Sequence, residues 1–299
     1  MRTKLFSTGM LYLLLAQVMV ALNIVVSKTL LGIIPVWMMM NIRFGIATVI
    51  LFVLHFVSPR RHVSLLDYFK QVQRKDWLFL WAQALCAGVL FNGLMLNGLN
   101  RTDANVAGII TSVLPAMIAI FSWLFLKEHI SFKKCLCVLL ATGGLLVIAC
   151  DKFTTVGKAH SFLGDAIVLL SLVPEVSYYI LTKMHKTPLP VFLTSSLLNG
   201  INTVILFPIS IAQHWNPFTM DGSQWIIMIF LGISAGLFYV FWLFGSQKVD
   251  GVMASLSTAL MPITTVLFAW LLLHEALNLH QTIGLSLVLL SIWVYSRQQ

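Results

Sequence analysis

Apolar residues fall along this chain in ten blocks separated by short polar breaks. The blocks lie at about 9–31, 36–57, 77–98, 104–126, 132–150, 162–183, 189–212, 224–246, 251–273 and 280–296. An α-helix crosses a hydrocarbon core with ~17–25 predominantly apolar residues, so each block is read as one span. The polar signal is weakest between the fourth and fifth blocks and between the ninth and tenth. Arg2 and Lys4 ahead of the first block give it the look of a signal peptide. No small-residue cleavage site stands before Lys28, and many similar blocks follow, so it too is taken as a span.

The blocks repeat. Residues 98–128 (GLNRTDANVAGIITSVLPAMIAIFSWLFLKE) lie over residues 245–275 (GSQKVDGVMASLSTALMPITTVLFAWLLLHE) at one offset. Ten of the thirty-one positions are identical, among them Asp103/Asp250, Ala107/Ala254, Thr111/Thr258, Pro115/Pro262, Trp123/Trp270 and Glu128/Glu275. Asp103, Ala107, Thr111 and Pro115 are spaced i+4, which makes one ridge on a helix. At a second offset Gly9 matches Gly164, Lys28 matches Lys183, and Thr48–Phe52 matches Thr203–Phe207 without a change; Trp77 and Gly88 correspond to Trp225 and Gly236. The chain therefore divides into a first five-helix repeat (1–150), a polar linker (151–161) and a second five-helix repeat (162–299). Five is odd, so the second copy enters the membrane from the opposite side. The expected fold is ten transmembrane helices in two inverted five-helix repeats, with any substrate held near the midplane where the repeats meet.

Charge fixes the expected orientation. With the N-terminus inside, fourteen Lys and Arg fall in inner segments and only Arg101, Lys152 and Lys158 in outer ones. That is a positive-inside bias, and it puts both termini in the cytoplasm. Composition agrees: the chain is 59% hydrophobic and 10% charged, against about 25% charged in soluble domains. Its net charge of +9 is thereby a topology signal and not a nucleic-acid footprint. Cys86, Cys135, Cys137 and Cys150 lie in or beside apolar blocks with no zinc or disulfide spacing, and are read as buried small residues. In the longest loop, 58–76, Ser64 is placed to cap a short helix with Asp67 three residues on. Leu65, Leu66, Phe69 and Val72 would share one side of it. An amphipathic helix on the inner surface and a plain polar connector both fit.

The twice-repeated pattern of Ala107, Val113-Leu114-Pro115 and Leu126-Lys127-Glu128, then Ala254, Leu260-Met261-Pro262 and Leu273-His274-Glu275, resembles the drug/metabolite transporter superfamily, in particular the EamA-type ten-helix transporters. Arg43-Phe44 resembles the family's Arg-Phe in the second span. The resemblance covers nearly the whole chain. It departs where the helix after the Glu usually carries two glycines: Cys137 and Ser291 stand at or near those places. It implies a cavity lined by the first four helices of each half, and transport of small metabolites, often export of amino acids and related compounds.

Polar groups inside the membrane usually face a cavity or one another. Glu175 lies mid-span directly after Pro174, which removes a backbone donor. Its carboxylate would bind a substrate ammonium or a proton, or else pair with Arg43 or Lys28. Arg43 is assigned a structural or gating role ahead of direct contact with a substrate carboxylate. Tyr178 and Tyr179 follow Glu175 by three and four residues, on its face. Phe91, Tyr239 and Trp242 lie in the equivalent third and eighth spans, so the aromatics form either a cage or ordinary packing. Asn23, Asn92 and Asn97 are cavity candidates, as are Thr111 and Thr258. Pro115 and Pro262 are expected to kink the fourth and ninth helices. Glu128 and Glu275 are expected to tie down helix ends.

The expected activity is secondary-active transport of small polar or zwitterionic metabolites across the cytoplasmic membrane, as an exporter, with no enzyme chemistry, cofactor, metal or nucleic acid. Uptake of a choline-like organic cation is the alternative. A membrane acyltransferase is a remote one, resting on His62-x4-Asp67 alone. Expected partners are a small-molecule substrate and membrane lipids; coupled protons and a homodimer stay open. No nucleotide-binding fingerprint is present, so energy would come from gradients.

Overall fold

The computed structural model describes residues 8–57, 64–127, 161–249 and 257–275, with isolated residues at 136, 254, 279, 282, 283, 286, 287 and 290. Every regular element among them is helical. Six helices are long and apolar enough to cross a membrane: α1 (Thr8–Lys28), α2 (Val36–Val57), α4 (Arg74–Leu99), α7 (Phe162–Met184), α8 (Val191–Ile211) and α9 (Gly222–Ser246). Between α2 and α4 lies the short α3 (Leu65–Gln71). Its cap is the predicted one, with the Ser64 hydroxyl accepting from Asp67 N–H at 3.3 Å. Leu65, Tyr68 and Val72 pack against the core, whereas Leu66 stands exposed, away from the side it was expected to share with Leu65 and Val72.

The fourth and ninth blocks are not simple long helices. The fourth is α5 (Ala104–Ile110), a 3-10 turn (Thr111–Val113) and α6 (Leu114–Leu126). The ninth contributes α10 (Leu260–Leu273). Pro115 is the second residue of α6 and Pro262 the third of α10. Both sit in a first turn, where a missing N–H costs nothing. They start helices where a kink within one was expected. Apart from those isolated residues, the fifth and tenth blocks lie outside the described residues, as do the linker up to His160, Glu128, His62 and three of the four cysteines; Cys86 is a free thiol.

Equivalent residues of the two sequence copies meet in exchanged pairs. A Cβ on Gly9 (α1) would lie 3.4 Å from Gly245 O (α9), and one on Gly98 (α4) 2.9 Å from Gly164 O (α7). Gly9 and Gly98 are the repeat partners of Gly164 and Gly245, so the same crossing is made twice with its roles reversed. Small residues permit such backbone approach between membrane helices. On the α2–α8 contact, Asn41 donates to Thr203 O at 3.1 Å and Ser196 to Thr48 O at 3.0 Å; 41 corresponds to 196, and 48 to 203. Lys28 donates to Thr102 O at 2.5 Å and its counterpart Lys183 to Val249 O at 2.9 Å.

One departure from that correspondence has a local cause. Trp77 and Gly88 lie 148 residues before Trp225 and Gly236, but Gly98 lies only 147 before Gly245. The first copy therefore has one residue more between Gly88 and Gly98. At this place α4 widens into a π-turn, Leu85–Leu90. A π-turn absorbs a surplus residue without breaking the helix, and such turns collect at functional sites. Past it, Phe91-Asn92 aligns with Phe238-Tyr239.

Candidate functional site

The first pole of the site is built on Arg43. It is 1% exposed, on α2 at its crossing with α1 and α4. Its guanidinium donates to Asn23 and Asn92, and to Ser27 at 3.3 Å. Asn23 and Ser27 are one turn apart on α1. Asn23 also donates to Leu231 O at 3.1 Å and Ser234 Oγ at 2.8 Å on α9. The Asn92 amide donates to Ala87 O at 2.6 Å and Gly88 O at 2.9 Å, two carbonyls of the π-turn. The surplus residue thus aims the Asn92 oxygen at Arg43. All these partners are neutral, and the Arg43 Nε has none.

The second pole is Glu175, fully buried on α7. Its Oε1 accepts from the Tyr179 hydroxyl at 2.7 Å, and its Oε2 has no partner. Gln17 of α1 approaches the same hydroxyl at 3.5 Å. Trp242 stacks on Tyr179 with centroids 4.1 Å apart, and its indole N–H donates to Thr182 at 3.3 Å. Tyr178 stands edge-on to Tyr239, at 5.7 Å and 90°, and its hydroxyl is unpartnered. The expected pairing of Glu175 with Arg43 or Lys28 is absent. Among the described residues no carboxylate lies within ion-pair distance of Arg43, and no cation within that of Glu175. Lys28 is engaged elsewhere, 3.6 Å from Asp103 and 3.7 Å from Glu275.

A cavity lies between α1, α2, α4 and α9, lined among others by Met19, Asn23, Phe91, Asn92, Ser234 and Tyr239. Glu175, Tyr178, Tyr179 and Trp242 are packed behind its Phe238–Tyr239 wall. Other candidates fall away from it. The Thr111 hydroxyl bonds Gly108 O at 2.5 Å within its own segment, and Asn97 bonds Gly93 O at 2.7 Å. Thr258 is buried but is not among the lining residues. Glu275 does tie helix ends, though across the bundle: its Oε1 accepts from the Ala104 N–H at 3.2 Å, at the start of α5. Sequence reasoning missed Gln17, Ser27, Ser234 and Phe238. The alignment of Phe91 with Phe238 past the surplus residue was the available signal for the last. No cluster of three or more His, Cys, Asp or Glu able to hold a metal occurs among the described residues.

Apolar helices of spanning length around a buried polar centre define an all-helical integral membrane protein. Comparison makes that specific. The model of the EamA-like transporter family matches residues 7–150 and again 162–297, and the chain belongs to that family. Its relatives include two Bacillus subtilis proteins named as uncharacterized transporters. YetK is 25% identical over 93% of this chain and 84% of its own length. YvbV is 29% identical over 92% and 87%. An uncharacterized transporter of Archaeoglobus fulgidus is 27% identical over 77% and 81%. One crystal structure aligns with a TM-score of 0.73 at 18% identity, covering 98% of this chain and 99% of that one; at that identity the likeness speaks for the fold.

Proposed function

We propose that the protein is a secondary-active transporter of small zwitterionic metabolites, amino acids or related compounds, working by alternating access across the cytoplasmic membrane. The observation that carries this reading is the pair of buried, ionisable groups of opposite sign, Arg43 and Glu175, that lack opposite partners among the described residues. A buried ion is costly unless neutralised. A ligand with a carboxylate at one end and an ammonium at the other compensates both, the carboxylate against the Arg43 fork and the ammonium against Glu175 within its aromatics. The ten-span, inverted-repeat architecture is part of the proposal. The exchanged contacts of Gly9–Gly245 with Gly164–Gly98 support it, and so does the twofold family match. Exchange of conformation between such halves moves the opening from one face to the other. Export is the direction implied by the family resemblance.

A second reading, a choline-like cation, is favoured by the ring cluster of Tyr178, Tyr179, Tyr239 and Trp242 beside Glu175, which suits a quaternary ammonium. Thermal unfolding of the purified protein with amino acids and with choline separates the two. A ligand at 100 times its Kd adds about 2.7 kcal/mol. Stabilisation by an amino acid and not by its decarboxylated amine, lost in Glu175→Gln, is the expected result. Stabilisation by choline alone would select the second reading. An unchanged response in Glu175→Gln would remove that residue from the site.

A further inference from the structure

A second cleft opens beside the Lys183–Lys186 end of α7, between α4, α8 and α9. Its lining is unlike that of the central cavity. Gln83, Lys186, Thr187, Thr194, Ser246 and Gln247 contribute amide, ammonium and hydroxyl groups. Gln83 is only 2% exposed, and its side chain lines this cleft. No carboxylate lines the cleft. The nearby Asp76 is committed to His185, at 2.5 Å.

The repeat supplies a control within the same molecule. The residues corresponding to Gln83, His185, Lys186, Thr187 and Thr194 are Leu231, Leu30, Leu31, Gly32 and Met39. Leu30, Met39 and Leu231 are buried core side chains. The fold is therefore content with apolar residues at these places, and the polar set on one side is an addition that packing did not demand.

We propose that this cleft is a second solute site, an antechamber that receives the oxyanion, carboxylate or phosphate, of a small solute. It extends the transporter reading above, because its floor leads to the central carboxylate. Thr182 lines the cleft and accepts from Trp242, Trp242 stacks on Tyr179, and Tyr179 donates to Glu175. Lys186 draws the anion in, and Gln83 and Thr187 hold it by hydrogen bonds.

The test is thermal unfolding of the full chain in detergent against sodium acetate and sodium phosphate, with ionic strength matched by sodium chloride. Wild type and Glu175→Gln are expected to show a saturable rise in Tm. In Lys186→Gln and Gln83→Leu half-saturation should move at least tenfold upward. Lys186 is exposed, and Leu is what the other copy has in place of Gln83, so neither change threatens the fold. An effect no larger than that of chloride, or one unaltered in both variants, overturns the proposal. Loss in Glu175→Gln with retention in Lys186→Gln would put the anion in the central cavity and also overturn it. A response to phosphatidylglycerol micelles alone would assign the cleft to a lipid headgroup and overturn the solute site. Because binding here is independent of Glu175, failure leaves the central-site test to stand or fall by itself.

Discussion

Arg43 shows how one side chain links three helices. It sits on α2, and its partners Asn23, Ser27 and Asn92 sit on α1 and α4. Removing one partner leaves a buried donor unmet, at about 1–3 kcal/mol. Asn92→Leu should lower stability by that amount in a denaturant titration. Arg43→Lys should not restore the lost geometry, because an ammonium lacks the planar fork. At the surface, the Gln224 backbone N–H and then the Ser223 hydroxyl hold the Asp221 carboxyl below its ordinary value. Asp221 caps α9, accepting from Gln224 N–H at 2.8 Å. A depressed carboxylate stabilises above its unfolded pKa, and that stability disappears as pH falls through the folded pKa. The Tm difference between wild type and Asp221→Asn should therefore shrink on acidification through the carboxylate range. A constant difference would mean that the cap is not charge-assisted.

The chief predictions at the level of elements concern how helix ends are joined. Lys28, at the end of α1, lies between Asp103 before α5 and Glu275 after α10, and Glu275 in turn accepts from Ala104 N–H. Groups sharing one network are non-additive by about 0.5–3 kcal/mol. Lys28→Met, Glu275→Gln and the double variant should show such coupling in thermal unfolding; additive losses would mean that the contact carries no energy. The lysine itself was visible in the sequence, as the match of Lys183, but its partners were not. They are 75 and 247 residues away, and only the packed bundle brings them together. Helix identity was legible because apolar length is a strong signal. The breaks before Leu114 and Leu260 were less so, since a proline reads alike in a kink and in a first turn. The π-turn was present in the numbers, as a shift between Gly88/Gly236 and Gly98/Gly245. Glu175 stood out as a lone carboxylate in an apolar run. Gln17, which donates to the Tyr179 hydroxyl that Glu175 accepts from, is an uncharged residue in another span and carried no comparable mark.

At the scale of the whole molecule, the positive-inside bias sets an expectation that a fusion can check. Green fluorescent protein attached to either end should fluoresce, since it folds in the cytoplasm; a dark fusion at one end would break the even count of spans. The π-turn has its consequence at this same scale. Two copies of one gene segment, if left identical, would make a carrier whose two orientations are related by a half-turn about an axis in the membrane plane and are equally populated at rest. A difference of one residue between the copies ends that degeneracy. It places an amide on the guanidinium in one half, where the other half has Tyr239 against Tyr178. A difference of only 1.4 kcal/mol between orientations is about a tenfold bias in resting population. On the inverted-repeat reading, a difference of one residue between the halves is thus enough to give a symmetrical machine a preferred direction in which to wait.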